Sequence, residues 1–423
     1  MTLLDSAMGV LGQGAGVPGI GLSPGELVRG ALFLLGVIFL LVVPSGALRG
    51  LRSRVFVLLC LGLTGVAVGA LLEPAPHHLL FDAEQLVRAL LGPVLVVVLS
   101  VIFVRYGVRG KAVLSAVALY GAVAGALILL LRLTGTGLPT YGRYSDAFSG
   151  FFAAPNDTGL AMLIGLTASF YLFLRHRTPV YGAASAVTTV GLLVLGTRAG
   201  LFGVALAPTA VLLVRAPREL GPRRWFQTSL VLLVCLVGFL ALNRYREIRL
   251  QTDTYQAERL SRLFSPRFNR IGLGRRALRF VAGRPLLENL LGEGATAYRR
   301  GDADARTPDG DLLAEVDWID LVGAQGALFT IALFAFYLGF LIRDRRSRRT
   351  GDSGARTVLV IALLGYLAHG IVAGHALTSP TASGVLAPLL AYATVLTART
   401  GLPGPGGEPE EAPPVIRARE AAA

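Results

Sequence analysis

The chain has 423 residues, of which 53% are hydrophobic and 16% charged, and it carries a formal charge of +14. A soluble domain of this length cannot hide so much apolar surface in one core, so the bilayer must act as solvent for much of the chain. The basic residues are arginines apart from Lys111 and fall mostly in short loops between apolar runs, which argues against a nucleic-acid partner and leaves many guanidinium groups of the kind that bind phosphate bidentately.

Residues 1–24 form a Gly-rich, weakly apolar segment without the charged start of a cleavable signal peptide; it reads as interfacial or as a poorly formed extra span. A helix needs about 20 apolar residues to cross the hydrocarbon. By that measure spans are expected at 28–47, 55–73, 86–104, 112–132, 155–174, 180–197, 200–214, 225–242, 321–342, 357–375 and 380–397. The expected fold is an all-α polytopic membrane protein with about 11–12 transmembrane helices. Eight lie in 25–242, a long helical extracytoplasmic loop occupies 243–320, three more lie in 321–399, and a Pro-, Glu- and Ala-rich tail over 400–423 is expected to be disordered and cytoplasmic. Cys60 and Cys235 both lie inside apolar runs and provide neither a disulfide framework nor a Cys-based metal site.

Every second short loop is basic: Arg49, Arg52 and Arg54; Arg105, Arg109 and Lys111; Arg175 and Arg177; Arg215, Arg218, Arg223 and Arg224; and Arg343 to Arg356. The positive-inside rule makes these loops cytoplasmic and puts 73–85, 133–154, 376–379 and the long loop outside. In that long loop charge is segregated. Asn243 to Arg284 holds eleven Arg against three acids, and Pro285 to Asp320 holds three Arg against nine acids. The two halves either neutralise each other as a folded cap or form a basic cradle for an anionic substrate facing a proton-handling acid.

Four constellations stand out along the chain. Arg143 precedes Gly150-Phe-Phe-Ala-Ala-Pro155-Asn156-Asp157, where Pro155 suits the first turn of a helix and Asn156 is a candidate cap at its outer end. Gly196-Thr-Arg198-Ala-Gly200 makes a hairpin between two spans; its arginine either snorkels to the interface or meets a ligand that the flanking small residues admit. In the long loop, Arg270 and Arg276 belong to an Arg-rich stretch in which 275–282 reads as a short helix ended by Pro285, before Gly292 and Gly294 permit a tight turn. Such arginines suit a diphosphate, and a surface helix lying on anionic headgroups is the competing explanation. Last, Glu315-Val-Asp317-Trp-Ile-Asp320 leads into a span bearing Gly323 and Gly326. Carboxylates there are favoured by the helix dipole, and desolvation at an apolar boundary also suits them to general-base work. Asp302-Ala-Asp304 starts like a calcium loop, but Arg306 and Thr307 break the pattern, so no metal and no cofactor is expected.

Taken in order, these features resemble the bacterial O-antigen ligase and polymerase superfamily: Gly-Phe-Phe-x-x-Pro-Asn opening a span, Thr-Arg-Ala-Gly closing the next, an outer-loop Arg about 15 residues before Pro285-Leu-Leu and Gly-x-Gly, and an acidic motif entering a span with a spaced glycine. The resemblance covers roughly 140–340. It implies a metal-independent, inverting glycosyltransferase in the bacterial cytoplasmic (inner) membrane. Such an enzyme polymerises undecaprenyl-diphosphate-linked oligosaccharide units on the extracytoplasmic face, in O-antigen, capsule or exopolysaccharide synthesis. Arg270 sits at the family's outer-loop arginine, with Gly274 where an aromatic often follows, and Arg198 matches the hairpin arginine. Glu315 falls where ligases carry a histidine, eleven residues before Gly326, and Phe329 replaces a second glycine, which points to polymerase-like members.

The implied catalytic residues are Arg270, Glu315 and Asp317, with Arg143, Asn156, Arg198, Arg276 and Asp320 binding substrate. A diphosphate leaves readily once its charge is neutralised, and a carboxylate would deprotonate the attacking sugar hydroxyl. Implied partners are the lipid-linked donor and acceptor glycans, the bilayer, and flippase and chain-length regulator proteins. The alternatives are a ligase that transfers glycan to a lipid or protein acceptor, and a transporter or flippase of lipid-linked glycans.

Overall fold

A computed structural model describes residues 24–42, 48–72, 76–139, 148–152, 154–219, 270–301, 316–346, 353–372, 374 and 376–400. Among the described residues the chain is helical apart from one short hairpin. The helices before that hairpin are α1 (Pro24–Val42), α2 (Arg49–Leu72), α3 (Pro76–Tyr106) and α4 (Gly110–Leu133). Strands β1 (Leu138–Pro139) and β2 (Phe148–Gly150) pair antiparallel, with Leu138 opposite Gly150. Then come α5 (Pro155–His176), α6 (Pro179–Leu195) and α7 (Arg198–Glu219), three short helices α8 (Arg270–Ala282), α9 (Leu286–Leu291) and α10 (Ala295–Gly301), and finally α11 (Asp317–Arg346), α12 (Ser353–Val372) and α13 (Pro380–Thr400).

Ten of the eleven expected spans coincide with helices, while the eighth, 225–242, lies outside the described residues. So do residues 1–23, much of the long loop and the tail from 401. Six helices are long and apolar enough to cross a membrane, those holding Arg49–Leu71, Leu79–Tyr106, Gly110–Leu133, Pro155–His176, Asp317–Ile342 and Pro380–Thr397. Shorter apolar stretches run through α1, α6, α7 and α12. With large apolar side chains such as Leu34, Leu35 and Ile331 at least 60% exposed on the outside of the bundle, the chain is an all-α multi-pass membrane protein.

Several helices reach beyond the apolar runs that announce them, α3 and α11 with buried acids in the extension. Helix α3 begins at Pro76 rather than near 86, and α11 begins at Asp317 rather than 321. Hydrophobicity marks only the part of a helix in hydrocarbon, whereas both extensions are held by polar pairs: Glu84 with Arg88 in α3, and the carboxylates of Asp82 and Asp317 with backbone amides of other elements.

Helices α5 and α13 form the centre, with 72% of their apolar windows buried against 33% for α2. Backbones meet closely where glycines face each other. A Cβ on Gly165 of α5 would lie 2.8 Å from the Gly121 Cα of α4, and one on Gly191 of α6 would lie 2.5 Å from the Gly125 Cα. Helix association in lipid rests on such close van der Waals contact, because the hydrophobic effect does not distinguish a neighbouring helix from a lipid tail. Helices α8, α9 and α10 all pack on α11, and α9 and α10 also pack on α2. The described part of the long loop therefore closes over one end of the bundle.

Candidate functional site

The site forms around a break in α11. Gly326 has φ 85° and ψ 162°, which interrupts the helix within its span. Into this break fits the turn joining α9 to α10, where Gly292 and Gly294 also have positive φ, 87° and 82°. The break releases the Ala324 carbonyl from its helical partner, and it accepts instead from the Gly294 amide at 3.0 Å. The two backbones touch: a Cβ on Gly292 would stand 2.6 Å from the Ala324 oxygen, and one on Gly326 would overlap the Leu290 carbonyl.

Polar side chains lock this turn to three helices. Asp82 of α3, 2% exposed, accepts at Oδ1 from the Thr296 amide (2.8 Å) and hydroxyl (2.9 Å), and so caps α10 from a distant part of the chain. A Cβ on Gly69 of α2 would lie 2.8 Å from Asp82 Oδ2 and 2.9 Å from the Glu293 oxygen, so the close approach of α2 requires glycine there. Arg284, its side chain 6% exposed, donates from Nη1 to the Gly323 carbonyl (3.2 Å), pairs through Nη2 with Glu293 Oε2 (2.9 Å), and lies over the Phe280 ring at 5.6 Å. The Tyr298 hydroxyl donates to Asp320 Oδ1 at 3.1 Å.

Of the residues singled out in the sequence, Arg143 and Glu315 lie outside the described residues. Arg198 opens α7, directly after buried Thr197, whose Oγ1 accepts from the Gly200 amide at 3.1 Å. The hairpin is thus a helix cap built on Thr197. Arg270 and Arg276 both belong to α8, which starts five residues before the expected 275. Asn156 is not the cap of α5. Ala154 holds that position without a side-chain bond, and Pro155 and Asn156 already lie within the first turn. There Thr158 Oγ1 donates to the Ala154 carbonyl at 3.1 Å.

Asp317 has a structural task. It is 2% exposed, and its Oδ2 accepts from both the Ala376 and the Leu377 amides at 2.6 Å. These amides belong to the connection between α12 and α13 and lack helical partners, a costly condition among apolar groups unless an acceptor is supplied. Asp317→Asn retains an oxygen that can accept both bonds and is expected to unfold within a few degrees of the parent protein. Asp317→Ala strands two buried donors at about 1–3 kcal/mol each and is expected to unfold far earlier. Thermal unfolding of the purified variants in detergent measures both, and equal stability of all three proteins would contradict the assignment.

The structure also joins what the sequence separates. Ala277 of α8 packs with Val316, Trp318 and Ile319 at the start of α11, and a Cβ on Gly274 would lie 3.5 Å from Ile319 Cδ1 and 3.8 Å from Val316 Cγ2. Gly274 and Ala277 are one turn apart, so the small face of a cationic helix lies on the acidic start of a membrane span. Arg270 lies one turn before Gly274, and Glu315 immediately precedes Val316.

Asp82, Arg284 and Glu293 carry the lock but were not legible as site residues, since Asp82 is one acid in a short loop and Arg284 one arginine among eleven in its half-loop. The Pro285 boundary and the Gly292-x-Gly294 spacing were the available signals. Among the described residues no three His, Cys, Asp or Glu side chains group as metal ligands. No protein-family model matches the chain, and no curated protein matches it either.

Proposed function

We propose that this chain is a membrane glycosyltransferase that polymerises, or transfers, undecaprenyl-diphosphate-linked oligosaccharide units at the extracytoplasmic face of a bacterial cytoplasmic membrane. The observation that carries this reading is the docking of Gly274 and Ala277 on Val316 and Ile319. It brings the helix that starts at Arg270 against Val316 and Ile319, which follow Glu315 in the chain, and this supports assigning the cation for a departing diphosphate to Arg270 and the base for a sugar hydroxyl to Glu315. Fixed cations aimed at a leaving group need no reorganisation during the reaction, and two membrane-anchored substrates need only be aligned. Because Asp317 is occupied by two backbone amides, the proton-accepting role goes to Glu315.

The break in α11 favours a transporter, since discontinuous spans line many transport sites. Here the turn at Gly292 and Gly294 fills it. In cells, Arg270→Ala and Glu315→Gln are expected to insert normally and to lower polymer formation about 10²–10³-fold, with single lipid-linked units accumulating. Normal polymer from both variants would defeat the assignment. Long lipid-linked polymer would indicate a ligase, and units held on the inner leaflet a flippase.

A further inference from the structure

A cavity lies away from this site, at the opposite end of α2. Helices α1 and α2 each pack on α3, and between them opens a space of about 500 Å³. Its lining has a polar end and an apolar end. Arg49, Arg52 and Ser53, in the first turns of α2, form the polar end. Val37 and Leu40 of α1, Val55 and Leu59 of α2 and Val94 of α3 continue it into the bundle. From Arg49 to Leu59 is ten residues, about 15 Å along a helix, which matches a headgroup followed by the upper part of an acyl chain. The Arg52 guanidinium is oriented by donating from Nη2 to the Leu41 carbonyl at 3.2 Å, while Arg49 is exposed.

We propose that this cavity binds one phospholipid with a net negative headgroup, its phosphate on Arg49 and Arg52 and one acyl chain between α1 and α2. The wall residues decide against a soluble anion: Leu41, Phe56 and Val57 border the cavity and are more than half exposed, so its mouth opens sideways to apolar surroundings rather than to water. The charge decides against a zwitterionic lipid. Two guanidinium groups, with no acid among the described lining residues, attract a headgroup whose phosphate charge is not already balanced.

The test is native mass spectrometry of the full chain released from mixed phosphatidylglycerol and phosphatidylethanolamine bilayers. The parent protein is expected to retain phosphatidylglycerol preferentially. An arginine at the membrane surface contributes about fivefold, so Arg49→Gln should lower retention roughly fivefold and Arg49→Gln/Arg52→Gln roughly 30-fold. A second variant, Val37→Trp, fills the apolar end and leaves both arginines in place; it should lose the retained lipid as well. Equal retention of the two lipids by the parent overturns the proposal. So does unchanged retention in the exposed Arg49→Gln variant, or displacement of the lipid by inorganic phosphate. Retention surviving in Val37→Trp would reduce the site to surface attraction of headgroups and also overturn it.

Discussion

Breaking the Arg284–Glu293 pair from either side is expected to cost about 3–5 kcal/mol, because each partner is a largely buried charge and the other carboxylate near Arg284, Glu288 Oε2 at 3.6 Å, is farther away and more exposed. The two side chains are 6% and 11% exposed, so water does little to screen or replace the lost partner. Arg284 carries more than the pair: it also holds the Gly323 carbonyl, one turn before the break in α11, and covers the Phe280 ring of α8. Arg284→Met and Glu293→Leu should each lower the unfolding temperature in detergent sharply. The double variant should recover much of that loss, since two apolar side chains of similar size leave neither buried charge behind and Glu288, 29% exposed, is within reach of water. Single variants as stable as the parent would show that the pair does not fasten the loop to the bundle.

Gly326→Ala is the second large effect. At φ 85° and ψ 162° a side chain is tolerated almost nowhere, and the strain alone amounts to about 1–3 kcal/mol. The added methyl would also overlap the Leu290 carbonyl, for about 1–3 kcal/mol more from overpacking. The expected outcome is release of the Gly292–Gly294 turn, read as proteolysis between α9 and α10 and as a lower unfolding temperature. Gly365→Ala in α12 is the control: nothing lies within 4 Å of a Cβ there, and alanine is the better helix former. If Gly326→Ala behaved like Gly365→Ala, the break would be incidental to the docking of the loop.

The glycines show how far the sequence could be read. Gly292-x-Gly294 and Gly326 were visible as turn and spacing signals about 30 residues apart, but their pattern does not say that they meet. All three need a positive φ for their own backbone; Gly292 and Gly326 also lack a Cβ because each lies against the other, and Gly294 because Asp82 and Gly69 lie against it. Gly274 gives the same lesson. As a departure from the family resemblance it looked like a lost aromatic, and in the fold it is the small surface by which α8 lies on Val316 and Ile319. The acids divided in a way that spacing could not foresee. Asp317 turned inward to two amides 59 and 60 residues away, and Asp320 accepted a tyrosine hydroxyl.

The sequence by itself determined that the chain is helical, lies in a membrane and crosses it many times. Those properties follow from how long and how apolar each run is, and hydrocarbon leaves a backbone no common alternative to the helix. Which polar groups meet at the end of the bundle was decided by the tertiary structure alone. The break in α11 and the Asp82 cap on α10 join residues from different elements, and the Arg284–Glu293 pair joins the two flanks of α9 beneath the Gly323 carbonyl; only the packed helices bring such partners together, where low dielectric makes every unmatched donor or charge expensive.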